Sequence, residues 1–166
     1  MKLPPKSSCQ RLMVGVSLLF YVLSFGFPVL VFQGKVSVSG PDAFSLSFRM
    51  APIMVVGNLL DRKILETVVY TLMCFANPLL LVTWCFTLFN KVPRLAFISS
   101  IVVLISMTVW GSMAPAHPIG GPICQPGGSL SLGYFLWCFS GISALVAVCI
   151  QCFYPSTTNL SNSDTP

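Results

Sequence analysis

The stretch Leu132–Phe153 reads LGYFLWCFSGISALVAVCIQCF and carries no ionisable carboxylate or amine. About 20 predominantly apolar helical residues cross roughly 30 Å of hydrocarbon, and an uncharged run of about 18 or more is the usual sign of a spanning helix. A soluble helix of that length would need a polar face, and this one has none. Working outward, three further runs of the same kind occupy 12–33, 64–89 and 95–114, and the fourth, with its flank, covers 131–153. The only charge inside any of them is Glu66, close to an end. The reading is an all-α membrane protein, a bundle of four transmembrane helices forming one domain over 1–155.

Composition supports this. Charged residues are 8% of the chain and hydrophobic residues 55%, against about 25% charged in ordinary soluble domains, and mean hydropathy is +0.85. The net charge of +5 does not point to nucleic acid, because the Lys and Arg residues are scattered through short connections, with no basic stripe or adjoining aromatic platform. They read instead as topology determinants. Lys2, Lys6, Arg11, Lys91 and Arg94 lie in two short segments, whereas Lys35, Arg49, Arg62 and Lys63 share one long loop. That distribution predicts both termini in the cytoplasm, at the plasma membrane or, in a bacterium, the inner membrane. The first run is too long for a signal-peptide core, and small residues follow only well past its end, so it is expected to stay as an uncleaved helix.

Between the first two spans, the loop 34–63 alternates twice, Lys35-Val-Ser-Val-Ser39 and Ala43-Phe-Ser-Leu-Ser-Phe48, around Gly40-Pro41-Asp42. Two period-2 runs about a turn predict a small extracytoplasmic β-hairpin over 35–48. The apolar segment Met50–Leu60 is too short to span and reads either as an interfacial helix or as an outward extension of the second span. Asn90–Arg94 is a tight basic turn, which makes the spans on either side antiparallel neighbours. Residues 114–131 are rich in Pro and Gly and form a stiff cap, and the Ser/Thr/Asn-rich tail 156–166 is expected to be disordered.

Polar residues at membrane depth are costly and often mark a pathway. Glu66, Tyr70, Met73, Asn77, Leu81 and Trp84 follow helical spacing, which places a carboxylate, a phenol and an amide on one stripe of the second span. The competing reading puts Glu66 at the wet interface beside Arg62 and has Asn77 bonding a neighbouring helix. In the last span Gly133, Ser140, Ala144, Ala147 and Gln151 recur at heptad-like intervals with Trp137 between them, a small-residue seam suited to close helix packing or to a dimer face. Trp110, Tyr134 and Trp137 cluster at one interface, Trp84 and Tyr154 fall near the other, and Tyr21 in mid-helix should face a neighbour.

Seven cysteines with an odd count and one loop member, Cys124, do not make a disulfide framework. Cys149-Ile-Gln-Cys152 is a CxxC pair, but at the C-terminal end of its helix, where the dipole does not stabilise a thiolate. His117 and Cys124 are too few for a zinc site. Nucleophile–base sets, phosphate-binding glycine loops and paired carboxylates are absent from the sequence, so no catalytic residue, cofactor or metal is expected.

In helix count and one large outer loop the chain resembles claudin-like tetraspans and the immunity proteins against pore-forming bacteriocins. The Trp/Gly-Leu-Trp/Cys/Cys signature of claudins is missing from Gln33–Lys63, and the resemblance implies no residue role. The sequence favours a non-enzymatic accessory or interaction protein whose partners are the lipid bilayer and another membrane protein or a second copy of itself. A transporter- or channel-like subunit using the Glu66–Asn77 stripe is the alternative, and a membrane thiol oxidoreductase using Cys149 and Cys152 a more distant one.

Overall fold

The computed structural model describes residues 6–31, 37–62, 64–90, 92–113 and 129–153, without the side chains at 6, 46–48, 50–52, 54, 65–66, 69–70, 73 and 113. The described chain is mostly helical. Its elements are α1 (Lys6–Ser24), β1 (Pro28–Val31), β2 (Ser37–Ser39), α2 (Gly40–Leu60), α3 (Ile64–Leu88), α4 (Pro93–Met113), β3 (Ser129–Leu130) and α5 (Leu132–Phe153). Among the described residues three helical stretches, Ser7–Ser24, Pro93–Ser112 and Leu132–Phe153, are long and apolar enough to cross a membrane. Within α3 the described residues give a shorter apolar stretch, Cys74–Leu88, and the helix runs unbroken through Pro78.

Contacts fix the helix directions. Ser17 meets Ser140 and Phe20 meets Phe139, while Gly133 lies beside Phe27 and Pro28, so α1 and α5 are antiparallel. Trp84 reaches Ser17 and Gln10 reaches Thr87, which runs α3 against α1. Tyr134 bonds Met107 and Phe97 packs on Phe153, which runs α4 against α5. The order α1, α3, α4, α5 is therefore up-and-down, and α2 lies against α3. A three-stranded antiparallel sheet, ordered β2-β1-β3, closes one end. Val29 and Leu30 of β1 are buried there with Trp110 and Tyr134.

Two sequence expectations are corrected. The hairpin over 35–48 does not form. Ser37–Ser39 is a strand, but it pairs with Pro28–Val31, and Ala43–Phe48 lies inside α2. Ser39 is the N-cap of that helix: its hydroxyl accepts from the Asp42 amide at 3.3 Å and donates to the Asp42 carboxylate at 2.6 Å. Pro41 sits in the first turn, where its missing N–H costs nothing. A Ser-x-x-Asp cap satisfies its donors within one turn, whereas an isolated hairpin would be marginal. Likewise the first apolar run is not one helix to residue 33. It stops at Ser24, whose hydroxyl donates to the Tyr21 carbonyl at 2.6 Å, and Gly26 and Pro28 then turn the chain into β1. Met50–Leu60 proves to be the second half of α2, separated from α3 by a turn in which Arg62 takes the left-handed conformation at φ 57°. The tail 156–166 and the cap 114–128 lie outside the described residues.

The packing is small inside and large outside. Buried positions include Ala76, Thr83, Thr87, Ala96, Ser100 and Ser106, while Leu19, Val22, Phe75, Ile98, Ile105 and Phe139 are exposed. Glycines mark the closest approaches. A Cβ on Gly133 would come within 2.6 Å of the Phe27 carbonyl oxygen and 2.7 Å of the Pro28 one, and on Gly141 within 2.7 Å of the Met107 sulfur. Around Gly15 there is open space.

Gly133→Ala forces backbone against backbone and should destabilise the fold by about 1–3 kcal/mol. Gly15→Ala should be neutral or raise stability by up to about 1 kcal/mol through helix propensity. Thermal unfolding in detergent checks the contrast, and equal effects at the two positions would contradict the packing described.

Candidate functional site

The stripe read on the second span is only partly a face. Asn77 and Trp84 are buried on α3 with Ala76, Leu80, Thr83 and Thr87, but Leu81 is half exposed. At 100° per residue, Leu81 lies a further step round the helix from Asn77 and passes the edge of the buried sector. The side chains of Glu66, Tyr70 and Met73 lie outside the described set. Trp84 is not an interfacial anchor: its indole N–H donates to Ser17 at 2.8 Å, deep between helices. Asn77 is held by a neighbouring helix, its Oδ1 accepting from the Trp137 indole at 3.0 Å. Because an indole nitrogen only donates, the amide oxygen must face Trp137 and the NH₂ must face away.

Of the small-residue seam on α5, Ser140, Ala144 and Ala147 are fully buried, and Gln151 is buried near the end of the helix. Ser140 takes the Ser17 hydroxyl on its carbonyl at 2.7 Å. Gly133 meets the backbone entering β1 rather than a helix. The seam is covered within the chain, so it is not a free dimer face. Tyr21 faces its neighbours, edge-on to Trp84 at 5.3 Å and to Phe25 at 5.1 Å between ring centroids. Trp110, Tyr134 and Trp137 do cluster, with Trp110 stacked on Tyr134 at 5.7 Å and edge-on to Trp137 at 5.9 Å. Cys149 and Cys152 are free thiols at the end of α5, and the Cys152 sulfur lies 3.7 Å from the Pro93 carbonyl. Cys124 and His117 lie outside the described residues. Among the described residues no three His, Cys, Asp or Glu side chains converge.

At the sheet end these elements leave a cleft. Tyr21, Ser24 and Phe25 from the end of α1 form one side, Gly40, Ala43 and Phe44 of α2 another, and Asn77, Trp110 and Trp137 the floor and back, with Val29 of β1 above. It is open to the surface and small: the space a water-sized sphere can reach is about 40 Å³, far below the volume of a typical small-molecule pocket. Gly40 has to be glycine here, because a Cβ would come within 2.6 Å of the Phe25 Cα and the Ser24 carbonyl. Among the described residues the lining holds no ionisable acid, Lys, Arg or His. No sequence pattern points to it: its walls come from six elements, and the alternation over 35–48 suggests a hairpin where the chain in fact turns to bring α2 over α1.

At the opposite end Gln10, also missed, is buried and donates to the Thr87 carbonyl and to Asn90 Oδ1, the latter at 3.2 Å. Nothing in the sequence singles it out, since it sits among Lys6, Ser7, Ser8 and Arg11 in the polar start of α1. Gln10 Oε1, Asn58 Nδ2 and Gln151 Oε1 are buried with no protein partner.

No protein-family model, curated protein or solved structure matches the chain.

Asn77→Leu should loosen packing without preventing insertion, since interhelical hydrogen bonds in membranes average about 0.6 and reach about 1.7 kcal/mol. Trp137→Phe should cost a similar amount, and the double variant should cost little more than either. Full additivity of the two losses in detergent unfolding would show that the Asn77–Trp137 bond does not carry them.

Proposed function

We propose that this is a small multi-pass integral membrane protein, a four-helix bundle in which α3 supplies the fourth crossing, acting as a non-enzymatic accessory or interaction protein. The observation that carries the membrane part is the reversal of ordinary packing: hydroxyls and small residues are buried between helices, and large aliphatic and aromatic side chains cover the outside. A soluble protein of this size rarely exposes more than a few hundred Å² of contiguous apolar surface, whereas lipid is the natural solvent for such a rim. At 1.5 Å per residue α3 is about 37 Å long, enough to cross at a tilt, and it runs antiparallel to α1.

The accessory role rests on what the described residues offer chemically. Their buried polar groups are hydroxyls and amides: Ser17, Thr83, Ser99 and Asn77 join helices, while Thr87, Ser100 and Ser106 bond carbonyls of their own helix. The CxxC pair sits half-buried and exposed at a helix C-terminus, the end where a thiolate gains nothing from the dipole. Partners suited to this molecule are the bilayer and another membrane protein or a second copy, at the plasma membrane or a bacterial inner membrane, with both termini cytoplasmic and the sheet outside.

Reporter fusions after Gln33, Asn90, Pro126 and Pro166 should read outside, inside, outside, inside. A fusion after Asn90 that is active on the outer side would overturn the orientation, and one after Gln33 that is active inside would remove the first crossing.

A further inference from the structure

We propose that the cysteines at the end of the bundle opposite the sheet, Cys9 of α1 with Cys149 and Cys152 of α5, are a site of S-acylation, with Cys152 the first to carry a long-chain acyl thioester. The inference rests on the orientation proposed above, which puts this end at the cytoplasmic face. It starts from register. The antiparallel helices α1 and α5 meet at Ser17 and Ser140. At 1.5 Å per residue, Cys9 lies about 12 Å from that contact and Cys149 about 14 Å, both in the same direction, with Cys152 nearly a turn farther out. Cys9 is in the first turn of its helix, and Cys152 is one residue from the end of its own. Three thiols from two helices therefore share one end of the bundle. Arg11 and Arg94 are exposed there too, and basic side chains near helix ends reach for the headgroup level.

Two buried oxygens point to water at the same place. Gln10 Oε1 and Gln151 Oε1 have no protein partner, their residues are only 3% and 7% exposed, and each stands next to a cysteine in the chain. Ordered water meets buried oxygens of this kind, and a bilayer supplies water at its interface and not in its core. Access to the thiols is graded: Cys152 is exposed, and Cys9 and Cys149 are half-buried. The Cys152 sulfur lies 3.7 Å from the Pro93 carbonyl at the start of α4, and Phe153 beside it packs edge-on to Phe97. From there Leu95, Ile98 and Ile101 expose apolar surface along α4 toward mid-membrane, where an acyl chain can lie.

Other thiol chemistry fits this end less well. Among the described residues no three ligating side chains converge on a metal, and a disulfide belongs to an oxidising compartment. Acylation needs neither. The Cys152 thiolate attacks the carbonyl carbon of a long-chain acyl-CoA, the carbon–sulfur bond to coenzyme A breaks, and coenzyme A leaves as the thiol with the proton that Cys152 gave up. Juxtamembrane cysteines are ordinary acceptors in that reversible exchange. The thioester supplies an anchor where α5 lacks one: its last turn holds no basic residue, and residues 154–166 contain no Lys or Arg.

The test expresses the full chain in cultured eukaryotic cells, which contain palmitoyl-CoA. Free thiols are blocked, thioesters are cleaved with neutral hydroxylamine, and the cysteines so uncovered are alkylated and mapped by mass spectrometry. Cys85 is the control, because it is exposed like Cys152 but follows Trp84 at the level of Ser17, in mid-membrane. Cys152 should be uncovered most often, with Cys9 and Cys149 behind it and Cys85 untouched, and Cys152→Ser should remove most of the palmitate from the chain. If that variant does not fold, the map of the unaltered chain decides. The proposal is overturned if Cys152 is not uncovered, if Cys85 is uncovered as often, or if Cys149 and Cys152 are recovered as a disulfide. A reporter fused after Pro166 separates the two readings. An unacylated chain whose reporter reads inside overturns the acylation alone, and one whose reporter reads outside overturns the orientation with it.

Discussion

One hydroxyl joins three helices. Ser17 of α1 donates to the Ser140 carbonyl of α5 at 2.7 Å and accepts the Trp84 indole of α3 at 2.8 Å, and the residue is wholly buried. Apolar contact cannot choose a register between helices in lipid, because a leucine is as comfortable against an acyl chain as against another leucine. A polar group at that depth has no such freedom, since hydrocarbon offers it no partner. Ser17 therefore sets how far α1 slides along α5 and where α3 crosses both. The levels of Phe20 on Phe139, of Gly133 under Pro28 and of Tyr21 beside Trp84 are consistent with that one setting.

The same logic repeats with weaker links. The Thr83 and Ser99 hydroxyls lie 2.8 Å apart between α3 and α4, and Tyr134 donates to the Met107 carbonyl at 3.0 Å between α4 and α5. Each needs close backbones, which is why Gly111 and Gly141 occur where Tyr134 and Met107 press in. At the sheet end α1 stops early, at Ser24, and the strand and the start of α2 take its place. Aromatic rings cannot pack there as closely as Ser and Ala do lower down, and the cleft is the space left over.

Much of the helical content was legible, because uncharged runs such as Leu132–Phe153 have few alternatives. The clustering of Trp110, Tyr134 and Trp137 and the engagement of Asn77 with a neighbouring helix were legible for the same reason: polar and amphipathic groups have few acceptable places in lipid. The errors came where two local signals competed. Ala43–Phe48 alternates like a strand, but Ser39 and Asp42 form a helix start three residues apart, and a cap that closes on itself prevails over a strand with no partner. Trp84 looked interfacial by its distance from the end of the run, and only the position of Ser17 shows it to be internal. Ser17 itself was invisible, since one serine in a leucine-rich helix carries no pattern. The cleft was invisible too, because six separate elements build it.

The central claim is that this polar junction, rather than apolar packing alone, specifies the bundle. A double-mutant cycle of Ser17→Ala and Trp84→Phe, read by unfolding of the full chain in lipid–detergent bicelles, tests it most directly. The account predicts a coupling between the two positions of about 0.6–1.7 kcal/mol. Losses that simply add, within about 0.3 kcal/mol, would mean that the two groups do not act together and that the register is set elsewhere.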